Sequence, residues 1–444
     1  MLLKYNVSNY KSIGHEIEFS MFPTSSKIDE KYTKVLNTKV GDWKILKRGA
    51  FFGPNASGKS SFVQSIHFAI EYIVNGMASG QGTNINQFRG TFKELDGQSL
   101  FTFMFYAENK EIYEYGFCLD SKQVCEEWLM VLTKKGFEPM FFRQTNNEGK
   151  TEIEIRSKLA RKNSRDKELC DLLKQTIKEK QKNQLFLYKL YDNGVKKVEP
   201  VMEWFKSIQV IFPGSKVQFL PLRLSQNIDL REFISDCLKK MDTGVVKLST
   251  ESEEMDFHEF IDKVHLPRKL VSNIQEQRNG MFKIGGKYYI FGEKQGDRLT
   301  IIQLKFEHTL NAKSIDFDLE DESDGTQRLL DLLPMLFVVE RQDISIFVVD
   351  ELDRSLHTKL SKYFLKLFLD NSEYSHGQII YTAHDVNLID LNNFAQDEIW
   401  FVEKKHTGES TIKPLSDFNV TEGRDVLKAY LNGRFGAVPV IKGE

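Results

Sequence analysis

Eight residues, Gly53-Pro54-Asn55-Ala56-Ser57-Gly58-Lys59-Ser60, fit the pattern G-x-x-x-x-G-K-[ST] in full, and they constrain the fold more than any other stretch. A loop of this kind cradles phosphates with its backbone N–H groups, while its lysine reaches the outer phosphates and its closing hydroxyl sits on Mg²⁺. The geometry works between a strand and a helix, and both flanks comply. Ile45 to Phe52 ends in Ala50-Phe51-Phe52, a short apolar strand candidate. Beyond the lysine, Phe62, Ile66, Ala69, Ile70 and Ile73 recur at helical spacing. The positive end of that helix's dipole then lies under the phosphates. The stretch predicts a bound nucleoside triphosphate, held by Gly53, Asn55, Gly58, Lys59, Ser60 and Ser61.

At 444 residues the chain is long enough for two or three domains. A net charge of -2 gives no global basic field to draw nucleic acid, although a local basic groove is compatible with it. No apolar run approaches the roughly 18–20 residues of a membrane span. Met1 to Val7 alternates like a strand and lacks the apolar core of a signal peptide. Four cysteines, Cys118, Cys125, Cys170 and Cys237, are widely spaced with no C-x-x-C, which indicates neither zinc nor a disulfide framework. The expectation is a reduced, cytoplasmic setting without a membrane.

Three regions read differently. Residues 1–155 look β-rich after the loop helix: the aromatic runs from Leu100 to Tyr106 and from Tyr113 to Leu119 alternate around Glu108-Asn109-Lys110, a hairpin pattern. From Ser157 to Leu190 the chain is rich in Lys, Arg and Glu, with Leu169, Leu172, Leu173 and Ile177 as one apolar stripe. That predicts a helix of roughly 30 residues, about 45 Å long. Residues 229–275 read as largely helical, with a polar break at Ser249 to Glu254, and Gly285-Gly286 marks a hairpin turn between Met281 and Phe291. From Asp316 onward strands and helices alternate. The division expected is therefore 1–155, 156–300 and 301–444.

The second half of a nucleotide site follows in the last region. Ile344 to Val349 is a continuous apolar run, the pattern of a strand buried on both faces in a parallel sheet. It ends in Asp350-Glu351, at the edge where open α/β sheets place ligands. Asp350 is expected to hold Mg²⁺ and Glu351 to act as general base on the attacking water. Upstream, Glu322-Ser323-Asp324-Gly325-Thr326-Gln327 opens an apolar helix, so Ser323 suits an N-cap that also faces a phosphate. Thr382-Ala383-His384-Asp385 follows another apolar strand.

In this order the motifs are similar to the ATP-binding-cassette (ABC) heads of SMC, RecF and OLD-type ATPases. Lys59 and Ser60 match the Walker A lysine and Mg²⁺ serine. Ser323, Gly325 and Gln327 match the signature motif, Asp350 and Glu351 match Walker B, and His384 matches the switch histidine. Asn9-Tyr10-Lys11-Ser12-Ile13 looks like the N-terminal strand motif. The closer resemblance is to the abortive-infection branch of OLD-like bacterial ATPases, found in anti-phage defence. It rests on Asp242-Thr243-Gly244, Glu322 to Thr326, Asp350 to His357 and the ending Tyr430 to Pro439. Two departures stand out. His357 replaces the D-loop aspartate of transporter heads, and the Q-loop glutamine, assigned to Gln87 as a further nucleotide and Mg²⁺ ligand, has a loose context in Asn86-Gln87-Phe88-Arg89.

The resemblance implies an α/β fold: a P-loop mixed sheet with an antiparallel β subdomain, plus a helical insertion. It implies ATP and Mg²⁺ as cofactors, slow hydrolysis through Glu351, His384 and Lys59, and a head-to-head dimer or higher oligomer in which one head's signature caps the other's ATP. It also implies a separately encoded toxic effector, such as a nuclease, as partner. The alternative is a DNA repair or maintenance ATPase of the SMC/RecF type that clamps DNA, so DNA stands as a second candidate partner; a scaffold with negligible hydrolysis is disfavoured by the intact Glu351 and His384.

Other readings fall on their context. Asp242-Thr243-Gly244 is also an aspartic-protease tripeptide, but it follows a helix end rather than a β-loop. His258 and His265 with Asp256 and Glu259 read as a solvated helical surface rather than a metal site. About 60 residues follow His384, too few for an appended Toprim-type nuclease domain.

Overall fold

The alternating aromatic runs near the amino terminus form long strands, and their period of two sets which rings go inside. The computed structural model describes residues 1–25, 28–78, 80–90, 97–146, 148–162, 164–217, 219–264, 279–292, 298–341, 344–391, 393–418, 420 and 426–438. Strands Ser99–Tyr106 and Ile112–Leu119 make the expected hairpin, with Phe101 opposite Phe117, Phe103 opposite Tyr115 and Phe105 opposite Tyr113. They sit in a seven-stranded antiparallel sheet. Its order is Thr151–Ile155, Gly136–Thr145, Val124–Thr133, Ile112–Leu119, Ser99–Tyr106, Leu2–Ser8 and Ile17–Ser20.

A second sheet carries the loop strand. Its six strands run in the order Ile208–Ile211, Ile344–Val349, His376–Thr382, Arg48–Phe52, Ile399–Lys404 and Ser410–Pro414. The first five are mutually parallel and the last is an antiparallel edge. Ile344–Val349 is buried at every position, as its unbroken apolar run predicts for a strand covered on both faces. The loop helix, Lys59–Asn75, joins the two sheets through one ring: Phe62 lies 4.5 Å from Phe51 of the parallel sheet and 5.6 and 5.7 Å from Phe19 and Tyr5 of the antiparallel one. The α/β class with a P-loop mixed sheet and an antiparallel β subdomain is thus present.

The contacts divide the chain into two units, one of Met1–Pro213, Val339–Asp353 and Ser361–Glu444, the other of Gly214–Val338 and Arg354–Leu360. This division differs from the three consecutive stretches read from the sequence. The second unit holds helices Leu220–Gln226, Ile228–Lys240 and Phe257–Val264. It also holds a sheet of five strands, Val245–Asp256, Arg298–Leu310, Lys287–Gly292, Asn279–Ile284 and Lys313–Phe317. The Gly285-Gly286 turn is where the sequence places it, with φ of 54° and 76°, the left-handed pair that a two-residue hairpin turn requires.

Two stretches depart from expectation. The helix expected over 157–190 is two helices, Arg165–Lys180 and Phe186–Asp192. The break is made by buried partners far away in sequence. Arg143 donates to the carbonyls of Gln184 at 2.5 Å and Lys182 at 2.7 Å, and the Glu127 carboxylate accepts from the N–H groups of Phe186 and Leu187, opening the second helix. The polar stretch 249–254, read as a break between helices, lies in strand Val245–Asp256 and pairs along its length with Arg298–Leu310. Its outer half is exposed on both faces, so no alternation of apolar residues betrays it. Of the residues set aside as a metal site, His265 lies outside the described residues. No described helix is long and apolar enough to cross a membrane.

Candidate functional site

The phosphate loop leaves the carboxyl end of strand Arg48–Phe52 and is moulded by what surrounds it. A Cβ on Gly53 would stand 2.3 Å from the Val402 carbonyl oxygen, and one on Gly58 would stand 2.0 Å from Ser410 Oγ. Gly58 also has a φ of +111°, in the region that side chains avoid. Ser410 holds the loop from outside, its Oγ donating to the Ser57 carbonyl at 2.6 Å and meeting the Ser12 hydroxyl at 2.8 Å.

Lys59 is only 5% exposed. Its ammonium curls back onto the Gly53 and Pro54 carbonyls, at 2.7 and 3.1 Å. Burial pushes its pKa below the ordinary lysine value, and the carboxylates Asp350, Asp353 and Glu351 oppose that shift. Ser57 Oγ is buried and, among the described residues, has no hydrogen-bond partner. A cradle that excludes Cβ atoms, a lysine parked on carbonyls and an orphaned hydroxyl all fit a phosphate chain.

The acidic half arrives from the next strands. Asp350 is buried at the end of Ile344–Val349, and its Oδ1 accepts from Ser60 Oγ at 3.2 Å and Thr382 Oγ1 at 2.7 Å. Ser60 with Asp350 is an oxygen donor pair that suits Mg²⁺. Thr382 Oγ1 also accepts from the Glu351 N–H at 2.8 Å. That bond helps hold Glu351 in the left-handed region, at a φ of 49°, a strained conformation of the kind found at functional sites. The Glu351 carboxylate meets His384 Nε2 at 3.4 Å. Asp353 fixes the histidine's backbone, accepting from the N–H groups of His384 at 2.9 Å and Asp385 at 2.5 Å.

The loop residues, Ser60, Ser61, Glu351 and His384 line one open cleft of about 2540 Å³, with Asn55 exposed at its edge. Gln87 is not placed with them: its side-chain amide donates to the Gly97 carbonyl, and it does not line the cleft. The neighbouring Asn86 and Phe88 are tied to Lys11 and Asn9, so this segment is strapped to the amino-terminal turn rather than to Asp350.

Ser323, Gly325 and Gln327 belong to the second unit. Ser323 Oγ accepts from the Thr326 N–H at 3.2 Å, the expected N-cap of helix Asp324–Arg341, and Gln327 Nε2 donates to the Glu322 carbonyl at 3.0 Å. The Glu322 carboxylate is held by His308 Nε2 at 2.6 Å.

Thr382, Asp353 and Ser410 were not assigned roles from the sequence. The faint signal for Thr382 and Asp353 is proximity to assigned residues; for Ser410 there is none.

A family model described as "AAA domain, putative AbiEii toxin, Type IV TA system" matches residues 50–390. No curated protein matches the chain. Among solved structures, the SMC head domain from Thermotoga maritima is 14% identical, the match covering 93% of this chain and 98% of that one with a TM-score of 0.36. An SmcHead bound to the C-winged helix domain of ScpA gives 12% identity, coverage of 94% and 99%, and a TM-score of 0.44. RecF-ATPrS, a recombination mediator of the RecFOR pathway, gives 11%, 93% and 98%, and 0.36. The residues matched by the family model run from the loop strand past His384, so the phosphate loop, Asp350, Glu351 and His384 fall within them. The chain belongs to this AAA domain family.

Proposed function

We propose that the protein is an ATP-hydrolysing ABC-type head subunit of an anti-phage, abortive-infection system. In this reading ATP draws two heads together and controls a separately encoded toxic effector. The observation that carries the hydrolytic part is the joined constellation of Lys59, Ser60, Asp350, Thr382, Glu351 and His384. The family's description, with its toxin–antitoxin setting, supports the biological part.

Each residue has a task that its surroundings suit. Lys59 exchanges its two carbonyl acceptors for phosphate oxygens, so little hydrogen bonding is lost on binding. Ser60 and Asp350 would hold Mg²⁺, which when bound supplies charge neutralisation on the phosphates. Glu351 orients a water and accepts its proton on a carboxylate oxygen, a role worth about 10²–10⁴-fold in rate. His384 shares the Glu351 carboxylate through Nε2 and is placed to report whether the outer phosphate remains. Ser323, Gly325 and Gln327 present a capped helix start to a second copy's nucleotide, and Gln87 is not part of the proposed site.

The test is Glu351→Gln. Turnover should fall by about 10²–10⁴-fold while ATP still binds, and light scattering should find an ATP-dependent dimer that persists. Normal turnover would refute the assignment of Glu351. Turnover raised by duplex DNA with a steep salt dependence would favour the DNA-clamping alternative instead.

A further inference from the structure

A cavity of about 980 Å³ opens at the other end of the loop strand, before Arg48. That volume lies near the top of the roughly 300–1,000 Å³ found for small-ligand sites. Its walls come from residues 30–35, residues 362–370 and residues 388–394.

Lys47 lines this cavity and is 6% exposed. Its backbone is clamped, the N–H donating to the Tyr32 carbonyl at 2.9 Å and the carbonyl accepting from Ile379 N–H at 3.0 Å. The residue therefore belongs to the framework. Among the described residues no hydrogen-bond acceptor and no ion-pair partner meets its ammonium.

Three of the neighbouring lysines are engaged, while Lys366 also lines the cavity from an exposed position. Lys34 donates to the Glu373 carbonyl at 2.9 Å, Lys362 reaches Asp390 at 3.8 Å and Lys31 lies 4.6 Å over the Tyr32 ring. Glu30, Asp370, Glu373 and Asp390 also line the cavity, so it is not uniformly basic. The anion-seeking end is that of Lys47 and Lys34, where burial and then the Lys34 charge hold the Lys47 pKa down. Tyr363, Leu365 and Leu369 supply apolar lining to the same cavity, interspersed with Lys362, Lys366 and Asp370.

We propose that this cavity binds a small organic phosphate, its anionic group on Lys47 and its apolar or ring-bearing body against Tyr363, Leu365 and Leu369. Lys47 Nζ is not one of the fully buried unpartnered atoms, so the ammonium is open to the cavity, where a compact point charge suits phosphate. A dianion answers two crowded lysines better than a carboxylate does. A volume of about 980 Å³ fits a small molecule. The inference is independent of the ATPase reading, because it uses none of the residues of the other cleft.

The test uses the whole chain carrying Lys59→Ala, in which binding through the phosphate loop is weakened, with AMP and inorganic pyrophosphate as probes in equilibrium dialysis. AMP should bind saturably at one per chain. Adding Lys47→Met should weaken it by about tenfold or more, the loss of one charge-assisted contact, whereas Lys47→Arg should retain most of the affinity. Pyrophosphate should bind more weakly than AMP. Thermal unfolding guards against a misfolded variant. Without probe, Lys47→Met should melt no lower than its parent, and AMP should raise the melting temperature of the parent more than that of the variant. Absence of saturable AMP binding at low-millimolar concentration overturns the proposal, as does an AMP affinity that Lys47→Met leaves unchanged. Pyrophosphate binding as tight as AMP overturns the role of the apolar lining, and a lower-melting Lys47→Met shows the lysine to be structural.

Discussion

Strand Arg48–Phe52 has a buried lysine beyond each end, Lys47 just before it and Lys59 after the loop that follows it. Both are nearly inaccessible, and burial depresses the pKa of each. What differs is the company they keep. Lys59 rests on two carbonyls, and three carboxylates partly restore its pKa. Lys47 has a like charge, Lys34, as its strongest neighbour, while the fields of Glu373 and Glu398 reach it without forming an ion pair. A cation stored on exchangeable carbonyls can be handed to phosphate at small cost; a cation stored on nothing carries a standing penalty. Burial alone therefore does not say what a lysine is for, and the surrounding acceptors do.

The largest effect is expected at the residue that anchors the Lys47 end. Arg48 and Glu398 form a buried pair, 2.8 Å apart, and the guanidinium lies 3.6 Å from the Phe394 ring centre. Arg48→Met leaves Glu398 buried without its cation and should cost about 3–5 kcal/mol in denaturant titrations. Burial already raises the Glu398 pKa, and Arg48 opposes that. Without the arginine the carboxyl's folded-state pKa rises further above its unfolded value. The variant's penalty is then full above that raised pKa and shrinks as pH falls through it towards the unfolded value. A loss under about 1 kcal/mol, within the range of an exposed pair, would show that this end of the strand is not held by the ion pair.

The next effect separates the two lysines by ligand. Lys59→Met removes a charge-assisted contact worth about 1.5–3 kcal/mol, so ATP affinity should drop by about 10- to 150-fold in calorimetric titration. An unchanged affinity would mean that Lys59 stays on the Gly53 and Pro54 carbonyls in the bound state, which would erase the contrast.

The difference between the two ends was only half legible in the sequence. Gly53 to Ser60, Asp350-Glu351 and His384 stand out because each is a local pattern with a strand before it, and strand ends at the same sheet edge are brought together by parallel order. Thr382 and Asp353 act through that order too, but nothing local distinguishes a threonine that bridges Asp350 and Glu351 from one that ends a strand. Gln87 is the reverse case: its residue type had no constraining context in the sequence, and its amide donates to the Gly97 carbonyl instead of lining the cleft. The helix break at 181–185 was invisible because Arg143 imposes it from about 40 residues away. Lys47 reads as an ordinary lysine between Leu46 and Arg48. Only the packing of residues 30–35 and 362–370 around it makes it unusual.

The smallest effect tests that last point through pH. The Lys47 pKa is lower in the folded protein than in the unfolded chain, by burial first and Lys34 second, with Glu373 and Glu398 opposing. The charged form is thus disfavoured by folding. The penalty is full below the folded pKa and fades as pH rises through the window that ends near the unfolded value of about 10.4. Lys47→Met has no such group, so its stability advantage over the parent should be present at neutral pH and shrink as pH is raised into the alkaline range. Each unit of depression corresponds to about 1.4 kcal/mol, and the readout is the difference in urea midpoints at matched pH, which cancels the titration of all other lysines and tyrosines. A difference that stays constant across that range would mean Lys47 keeps its ordinary pKa, with an anion or solvent already at its ammonium. The contrast with Lys59 would then be one of partners alone and not of stored electrostatic cost.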